Sequence, residues 1–568
     1  MLKNSKSKLV IIAVLFLALP SIAAAFTVGD IEKFNISEGY DISQRKEVST
    51  MLVRITDDLL FYVEREWWEK QNSAERSQIS QALIDLGVSF NRKIYPELTS
   101  AFGNIPEHPV DESGKTTVVF HLMKRDAGGY FRTGDQYSKL EYPFSNERNA
   151  LYLNANRIKE SLLPSYLAHE FIHLITFNQK QSLRNVAEEI WLEELRAEFA
   201  PSFLNYDKNY KGSYLEGRVE TFLDYPNEPL VRWRNRLADY GVINLFAQYL
   251  VDHYGVEILI DSLKSKETGV ESINYALLKN NFEEDFSQIF TDWAIALLVN
   301  DCQLGEKYCY LNPHLKDLKI PPQFYYLPSE GEPLLRMSET IFNWSANWNK
   351  IIGGKEDLIL KVEGEEEIVV PYLLCDYQEK CQVDFLELIQ GEGEITFFNF
   401  GEKYSSLIII PLAQPEQNPD EARTFNIVWS VEVKESEKKD DSEIKEQLLA
   451  QIAELQAEIS RLRAKLAALM GETQPIICDR FENNLYFGIR DSGEVRCLQE
   501  FLASPPAGGA DIYPEAQVTG NFLSLTQAAV IRFQEKYAEE ILSPLNLQRG
   551  TGYVGEMTRA KINDLINF

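Results

Sequence analysis

Two histidines stand four residues apart in Leu167-Ala168-His169-Glu170-Phe171-Ile172-His173-Leu174-Ile175, with a glutamate directly after the first. On an α-helix, residues i and i+4 share a face, so both imidazoles project together and can hold one cation. Glu170 can then reach a water on that cation and serve as its general base. Leu167, Phe171, Ile172, Leu174 and Ile175 make the helix largely buried, and two buried imidazoles are costly unless they share a partner. The chain has only six histidines, so this spacing is unlike a chance pairing. A catalytic zinc ion needs a third protein ligand and one open position for water.

A source for that ligand follows in Glu188-Glu189-Ile190-Trp191-Leu192-Glu193-Glu194-Leu195-Arg196-Ala197-Glu198-Phe199-Ala200. Helical periodicity buries Ile190, Leu195 and Phe199 and puts Glu194 and Glu198 on one face, a turn apart. A carboxylate on a second helix completes a His₂Glu set, and another four residues on can hydrogen-bond a ligating imidazole. Glu188, Glu189 and Glu193 read as a solvated face.

These residues resemble the gluzincin metallopeptidases, and are especially similar to the hyicolysin-type group, whose second motif usually runs Trp-Leu-Asn-Glu followed by a small residue. The resemblance implies that His169, His173 and Glu194 bind zinc, that Glu170 is general base and acid, and that Glu198 supports a ligand. This chain carries Glu193 where Asn is usual and Leu195 where a small residue is usual. The resemblance extends to Asp239-Tyr240-Gly241, where related enzymes carry a Tyr-Gly opening a helix. It makes Tyr240 the candidate that steadies the developing oxyanion, with His253 and Tyr214 as runners-up. His108, His121 and His314 read as structural or surface histidines.

Stepping outward, residues 26–315 read as one α+β unit that must position this site. Thr116–His121 is a buried strand and Ala150–Leu153 a second short one. Helices are expected from Pro164 to Phe177, from Val186 to Phe203, and at 240–253, 256–264 and 284–299. Pro164 suits a first helical turn. From 320 to 434 the texture becomes that of a β-sandwich, with strands at 358–362, 367–370, 394–398, 406–410 and 424–433. It carries no catalytic constellation and reads as a substrate-binding or spacer module.

Lys3, Lys6 and Lys8, the apolar run Leu9–Leu19 and the small residues ending at Ala25 read as a signal peptide over 1–25, too short for a stable span. An uncleaved anchor is the alternative. The cysteines fall in local pairs, Cys302/Cys309, Cys375/Cys381 and Cys478/Cys497. In an exported chain these read as small disulfide loops, since no C-x₂-C spacing favours zinc. A net charge of −29 leaves no basic excess for nucleic acid.

Residues 435–472 comprise a charged linker and the heptad stripe Leu448, Ile452, Leu455, Ile459, Leu462, Leu466, Leu469, which fits a parallel homodimeric coil or a lone spacer helix. Residues 476–568 form a small all-α domain in which Val518–Val530 echoes Gly552–Ile562, each a glycine turn leading into a helix capped by Thr. Gly493–Leu502, Thr526–Gln534 and Gly550–Gly555 resemble a peptidoglycan-binding domain of exported bacterial proteins, which implies peptidoglycan as a partner and a secreted or wall-associated location.

The expected fold is therefore multidomain: a zincin-like α+β metallopeptidase domain, a β-sandwich, a coiled-coil helix and a small peptidoglycan-binding-like domain. The expected activity is zinc-dependent hydrolysis of protein or peptide substrates. A peptidoglycan cross-link hydrolase and a catalytically silent wall adhesin or scaffold are the alternatives.

Overall fold

A computed structural model describes residues 26–107, 114–328, 333–415, 423–434, 480–504, 507 and 509–566. The stretch 1–25, His108, the heptad stripe and Cys478 lie outside the described residues. The chain divides into two compact units, Met1–Glu437 and Lys438–Phe568. Among the described residues no helix is long and apolar enough to cross a membrane.

The first unit begins with a six-stranded sheet: β1 (Ile31–Asn35), β2 (Glu47–Ile55), β3 (Leu59–Glu64), β4 (Thr116–His121), β5 (Gly129–Phe131) and β6 (Ala150–Asn154), in the order β1-β2-β3-β4-β6-β5. β3, β4 and β6 run parallel and are buried throughout. Both faces are covered, which is why Thr116–His121 reads as a continuous run instead of an alternating one. Phe61, Val118 and Leu151 pack on the helices Ser73–Ser89 and Tyr95–Phe102, while Leu60, Val119 and Tyr152 meet Phe34 and Leu52 on the other face. None of the elements before Thr116 is among the expected ones. In Ser73–Ser89 only Ile79, Leu83, Leu86 and Gly87 are buried, a stripe at helical spacing that carries just three large apolar side chains.

The helices that follow are Leu163–Phe177, Ile190–Phe203, Tyr214–Asp224, Leu237–Tyr254, Glu257–Leu263, Gly269–Lys279 and Phe286–Val299. The second starts at Ile190, not at Val186, because Glu189 before it is extended and Glu188 is drawn into a buried ion cluster. There the Glu188 carboxylate lies 3.2 Å from Lys180 Nζ and 2.9 Å from Arg196, with all three side chains at most 1% exposed. Lys180 Nζ and Arg196 also donate to the Ser262 carbonyl and hydroxyl, which ties the start of Ile190–Phe203 to the helix Glu257–Leu263. Ile190, expected in the core, is 54% exposed.

Strands β7 (Gln323–Leu327), β8 (Leu334–Phe342), β9 (Asn349–Gly353), β10 (Asp357–Gly364), β11 (Ile368–Cys375), β12 (Cys381–Leu386), β13 (Glu392–Phe397), β14 (Ser406–Ile409), β15 (Leu412–Ala413) and β16 (Thr424–Lys434) follow. They form sheets ordered β13-β10-β16-β8 and β12-β11-β14-β9-β7, with β15 on β11, and the two enclose one core around Trp429. This layer is welded to the helices. The Trp344 ring sits 4.7 Å from Phe286 and 5.4 Å from Phe290, and Trp348 Nε1 donates to the Ala294 carbonyl at 2.9 Å. The segment before Leu237–Tyr254 is moored to it as well: Leu230 N donates to the Trp344 carbonyl and Asn227 Nδ2 to Asn347 Oδ1. Disulfides join Cys302 to Cys309 and Cys375 to Cys381, and Cys497 has no free thiol.

In the second unit, helices Gly493–Leu502, Ser524–Lys536 and Glu556–Ile566 surround a small core. The internal echo has a structural counterpart in two glutamines. Gln499 Oε1 accepts from Thr519 N and Gly520 N while its Nε2 donates to Asn521 O and Thr526 Oγ1. Gln534 repeats the set with Thr551, Gly552, Tyr553 and Thr558. Thr526 and Thr558 are therefore not helix caps as expected. Each receives a buried amide that closes the preceding turn.

His121 shows how the sheet layer depends on pH. Its fully buried ring lies 3.3 Å from Asp41 through Nδ1 and 3.0 Å from the Tyr130 hydroxyl through Nε2. Burial pushes its pKa down to about 4, against the opposing pull of Asp41 and Glu64. Between the ordinary value near 6.5 and that value, the unfolded chain binds more protons than the folded one. Stability is thus lost as pH falls through that window, by on the order of 3 kcal/mol. Thermal midpoints measured from pH 6.5 to 4 should fall less steeply in His121→Gln than in the wild type.

Candidate metal centre

The helix Leu163–Phe177 opens with Pro164 in its first turn and buries every residue from Leu167 to Thr176. Phe171 packs edge-on against Phe90 at 5.0 Å and beside Tyr95 at 5.7 Å, which sets the helix rotation. His169 and His173 consequently face Ile190–Phe203. His169 Nε2 lies 3.4 Å from His173 Nε2 and 3.3 Å from Glu194 Oε2, and His173 Nε2 lies 3.6 Å from the same oxygen. Ligand distances of about 2.0–2.2 Å around a tetrahedral zinc ion give edges of about 3.3–3.6 Å. The triangle therefore fits three ligands of such an ion. Among the described residues Glu194 Oε2 has no hydrogen-bond partner despite these approaches, as expected of an atom aimed at a common centre.

Behind each imidazole stands a carboxylate. His169 Nδ1 lies 3.3 Å from Glu198 Oε1, and His173 Nδ1 lies 3.1 Å from Glu193 Oε1. Such contacts hold Nε2 toward the centre and raise the ring's basicity. Glu198 is fully buried and anchored on the other side by Arg218 at 2.7 and 2.8 Å, by Asn244, and by the Tyr214 hydroxyl at 2.6 Å. Burial alone would raise the Glu194 carboxyl, but the imidazoles of His173 and His169 outweigh it and hold it below the ordinary range. Burial would likewise lower His173, and the opposing carboxylates of Glu194 and Glu193 raise it instead. The donor set is thus built to hold positive charge.

Glu170 points into the same space, and its Oε2 is buried without a hydrogen-bond partner among the described residues. Burial, opposed by the two imidazoles and reinforced by Glu194 and Glu198, pushes it up to about 7. That is the range suited to taking and returning protons near neutrality, and a cation at the triangle would draw it lower. A carboxylate oxygen of Glu170 lies within 4.8 Å of donor atoms of both histidines, but Glu194 closes the smaller triangle. Gly129 on β5 allows this placement, since a Cβ there would come 2.8 Å from Glu170 Oε1 and 2.6 Å from the Tyr152 carbonyl.

A cleft of about 600 Å³ opens beside the triangle, lined by Tyr40, Gly129, His169, Glu170, Arg218 and Tyr240 among others. Tyr240 donates to Asn235 Oδ1 at 3.0 Å, and its ring lies 6.3 Å from that of His169. Burial, with Glu194 adding, raises its phenol, so it stays a proton donor. The structure thus gathers His169, Glu170, His173, Glu194, Glu198 and Tyr240. Tyr214 sits behind His169, committed to Glu198 and Arg218. His253 is elsewhere, against the Cys309 carbonyl, and His314 stacks on Tyr210.

The solvated reading of the acidic run does not hold. Glu193 meets His173, Glu188 is buried among cations, and Glu189 accepts from Trp191 Nε1 at 2.6 Å. Arg218 and Tyr40 carry no motif in the sequence; their places at the site arise from contacts remote in sequence.

No family model matches the chain. The neutral metalloprotease ShpI of Staphylococcus hyicus is 25% identical over 240 residues, which cover 38% of this chain and 52% of that protein. The chain thus spans about half the length of the curated relative it matches. Among solved structures, similarity reaches the pre-peptidase C-terminal domain of a Bacillus anthracis collagenase (10% identity, TM-score 0.14, 20% of this chain and 96% of that one). It also reaches Aeromonas hydrophila PliG, a periplasmic inhibitor of g-type lysozyme (9% identity, TM-score 0.14, 20% and 100%). At such scores neither carries an argument.

Glu193→Gln keeps the side chain's length but removes the charge facing His173. Zinc affinity, read by competition with a chromogenic chelator, should fall about tenfold, against near-complete loss in Glu194→Ala.

Proposed function

We propose that this chain is an exported zinc-dependent endopeptidase. The observation that carries the reading is the triangle of His169 Nε2, His173 Nε2 and Glu194 Oε2 with edges of 3.3–3.6 Å, beside Glu170 Oε2, which has no hydrogen-bond partner among the described residues. The partial similarity to a neutral metalloprotease supports the same reaction class. His169, His173 and Glu194 would hold the zinc ion. Bound there, it would supply a lowered pKa for water and polarisation of the scissile carbonyl.

The chain's own residues do the rest. β5 is the edge strand of its sheet and contributes Gly129 to the cleft wall, so an extended peptide can lie along it as an added strand. Glu170 takes a proton from the attacking water as the water oxygen bonds to the carbonyl carbon. The C–N bond then breaks, and Glu170 returns that proton to the leaving amine; the water's second proton, left on the new carboxyl group, passes to the amine as the products ionise to a carboxylate and an ammonium. Tyr240 donates a hydrogen bond to the carbonyl oxygen as charge develops on it. Glu193 and Glu198 keep the imidazoles oriented throughout.

The signal-like first 25 residues support export, and the second unit supports localisation at the cell wall. Its face carries a stacked pair, Tyr486 and Tyr553, with centroids 6.1 Å apart and both well exposed, next to exposed Phe487. Exposed aromatic rings of this kind suit the apolar faces of sugars.

Zinc measured by mass spectrometry should be one per chain in the wild type, be retained in Glu170→Gln and be lost in His173→Ala. Casein hydrolysis should fall by at least about a hundredfold in Glu170→Gln. Digestion of muropeptides but not casein would move the assignment to a cross-link hydrolase. Zinc-free wild type that cleaves neither would leave a scaffold.

A further inference from the structure

Tyr40 lies on the loop between β1 and β2, far from the metal motif in sequence, and yet its side chain forms part of the cleft wall with His169 and Glu170. The side chain is held firmly. Its ring stacks on Tyr130 at 4.6 Å, and Tyr130 stacks on the fully buried Tyr152 at 4.6 Å. The loop backbone is pinned on both sides of the ring: Lys124 N donates to the Tyr40 carbonyl at 3.0 Å, and the adjacent buried Asp41 accepts from Arg45 Nε at Oδ1 and from Arg45 Nη2 at Oδ2. Nothing in that packing uses the phenol oxygen.

That oxygen is directed across the cleft. It accepts from Asn235 Nδ2 at 3.3 Å, while Asn235 Oδ1 accepts from the Tyr240 hydroxyl at 3.0 Å. One amide thus gathers two phenols, Tyr40 from the sheet side and Tyr240 from the helical side. Asn235 adopts a left-handed backbone with φ of +55°, a conformation that asparagine tolerates better than most residues, and its segment is moored to the sandwich at Leu230. Burial, together with the nearby carboxylates of Glu170 and Glu194, raises the Tyr40 phenol, so it too remains a donor.

We infer that Tyr40 is a second catalytic hydroxyl, donating with Tyr240 to the scissile carbonyl oxygen, and that Asn235 is the positioning residue presenting both phenols. The inference rests on the peptidase reading. Tyr40, which accepts from Asn235, keeps its own proton for the cleft, and Tyr240 turns its single proton from Asn235 Oδ1 to the carbonyl oxygen as charge develops there, so the pair favours the charged transition state over the neutral ground state.

Tyr40→Phe keeps the stacked ring and removes only the hydroxyl. In the full-length zinc-loaded protein it should lower kcat on a peptide substrate at least tenfold, with KM within twofold and zinc content unchanged. Affinity for a phosphinic peptide mimicking the tetrahedral carbon should fall in proportion to kcat, whereas substrate affinity in a Glu170→Gln background should not change. Asn235→Gly, which accepts the same φ, should lower kcat severalfold at constant KM. A Tyr40→Phe enzyme with kcat within twofold of wild type would overturn the inference and leave Tyr40 as a strut between the cleft walls, whatever its unfolding midpoint. Wild type no more active than Glu170→Gln would instead overturn the peptidase reading, and this inference with it.

Discussion

Two imidazoles and one carboxylate must meet within 3.3–3.6 Å, and the first unit is organised around meeting that demand. Glu170, Glu193, Glu194 and Glu198 all crowd the centre, and so dense a set of carboxylates taken from water is untenable unless positive charge joins it. Arg218 neutralises Glu198 from behind. The remaining charge faces the triangle, where a divalent ion is the natural counterpart. Small shifts of either helix would open the triangle, so both must be immobile. Phe171 wedged against Phe90 fixes one, and the buried Lys180–Glu188–Arg196 cluster fixes the start of the other.

The same logic explains why the β-sandwich belongs to this unit and is no detached spacer. Trp344 and Trp348 extend the helical core, and the backbone bond from Leu230 to Trp344 anchors the segment that carries Asn235 toward the cleft. The sandwich thereby helps to place Asn235 in the wall of the cleft beside the His169–His173–Glu194 triangle. In the second unit, Gln499 and Gln534 do analogous work at smaller scale, each satisfying two turn N–H groups that would otherwise be buried unpaired.

Legibility in the sequence followed the range of the interactions. Strands β4 and β6 were readable because complete burial leaves an unbroken apolar run, and the helices at 163–177, 237–254 and 286–299 because their faces are densely apolar. The elements of residues 26–107 were not: β2 and Ser73–Ser89 are buried only in part, and β3, a run of only six residues, went unread although it is buried throughout like β4. Glu193 was misread because helical periodicity places it beside the Glu194 face without revealing that His173 Nδ1 waits there. Ile190 was misread because the helix begins at that residue, whose side chain stays in water while Trp191 and Leu192 directly after it are buried.

By itself the sequence determined the chemistry on offer: a His-Glu-x-x-His helix, a following acidic helix, and local cysteine pairs close enough along the chain to join. Spacing of three or four residues suffices for that, because a helix converts it directly into a shared face. Only the tertiary structure decided which carboxylate supports which imidazole, that Arg218 balances Glu198, and that Tyr40 and Tyr240 meet at Asn235. These partners come from separate strands, loops and helices. Their meeting depends on how whole layers pack, a property no local periodicity encodes.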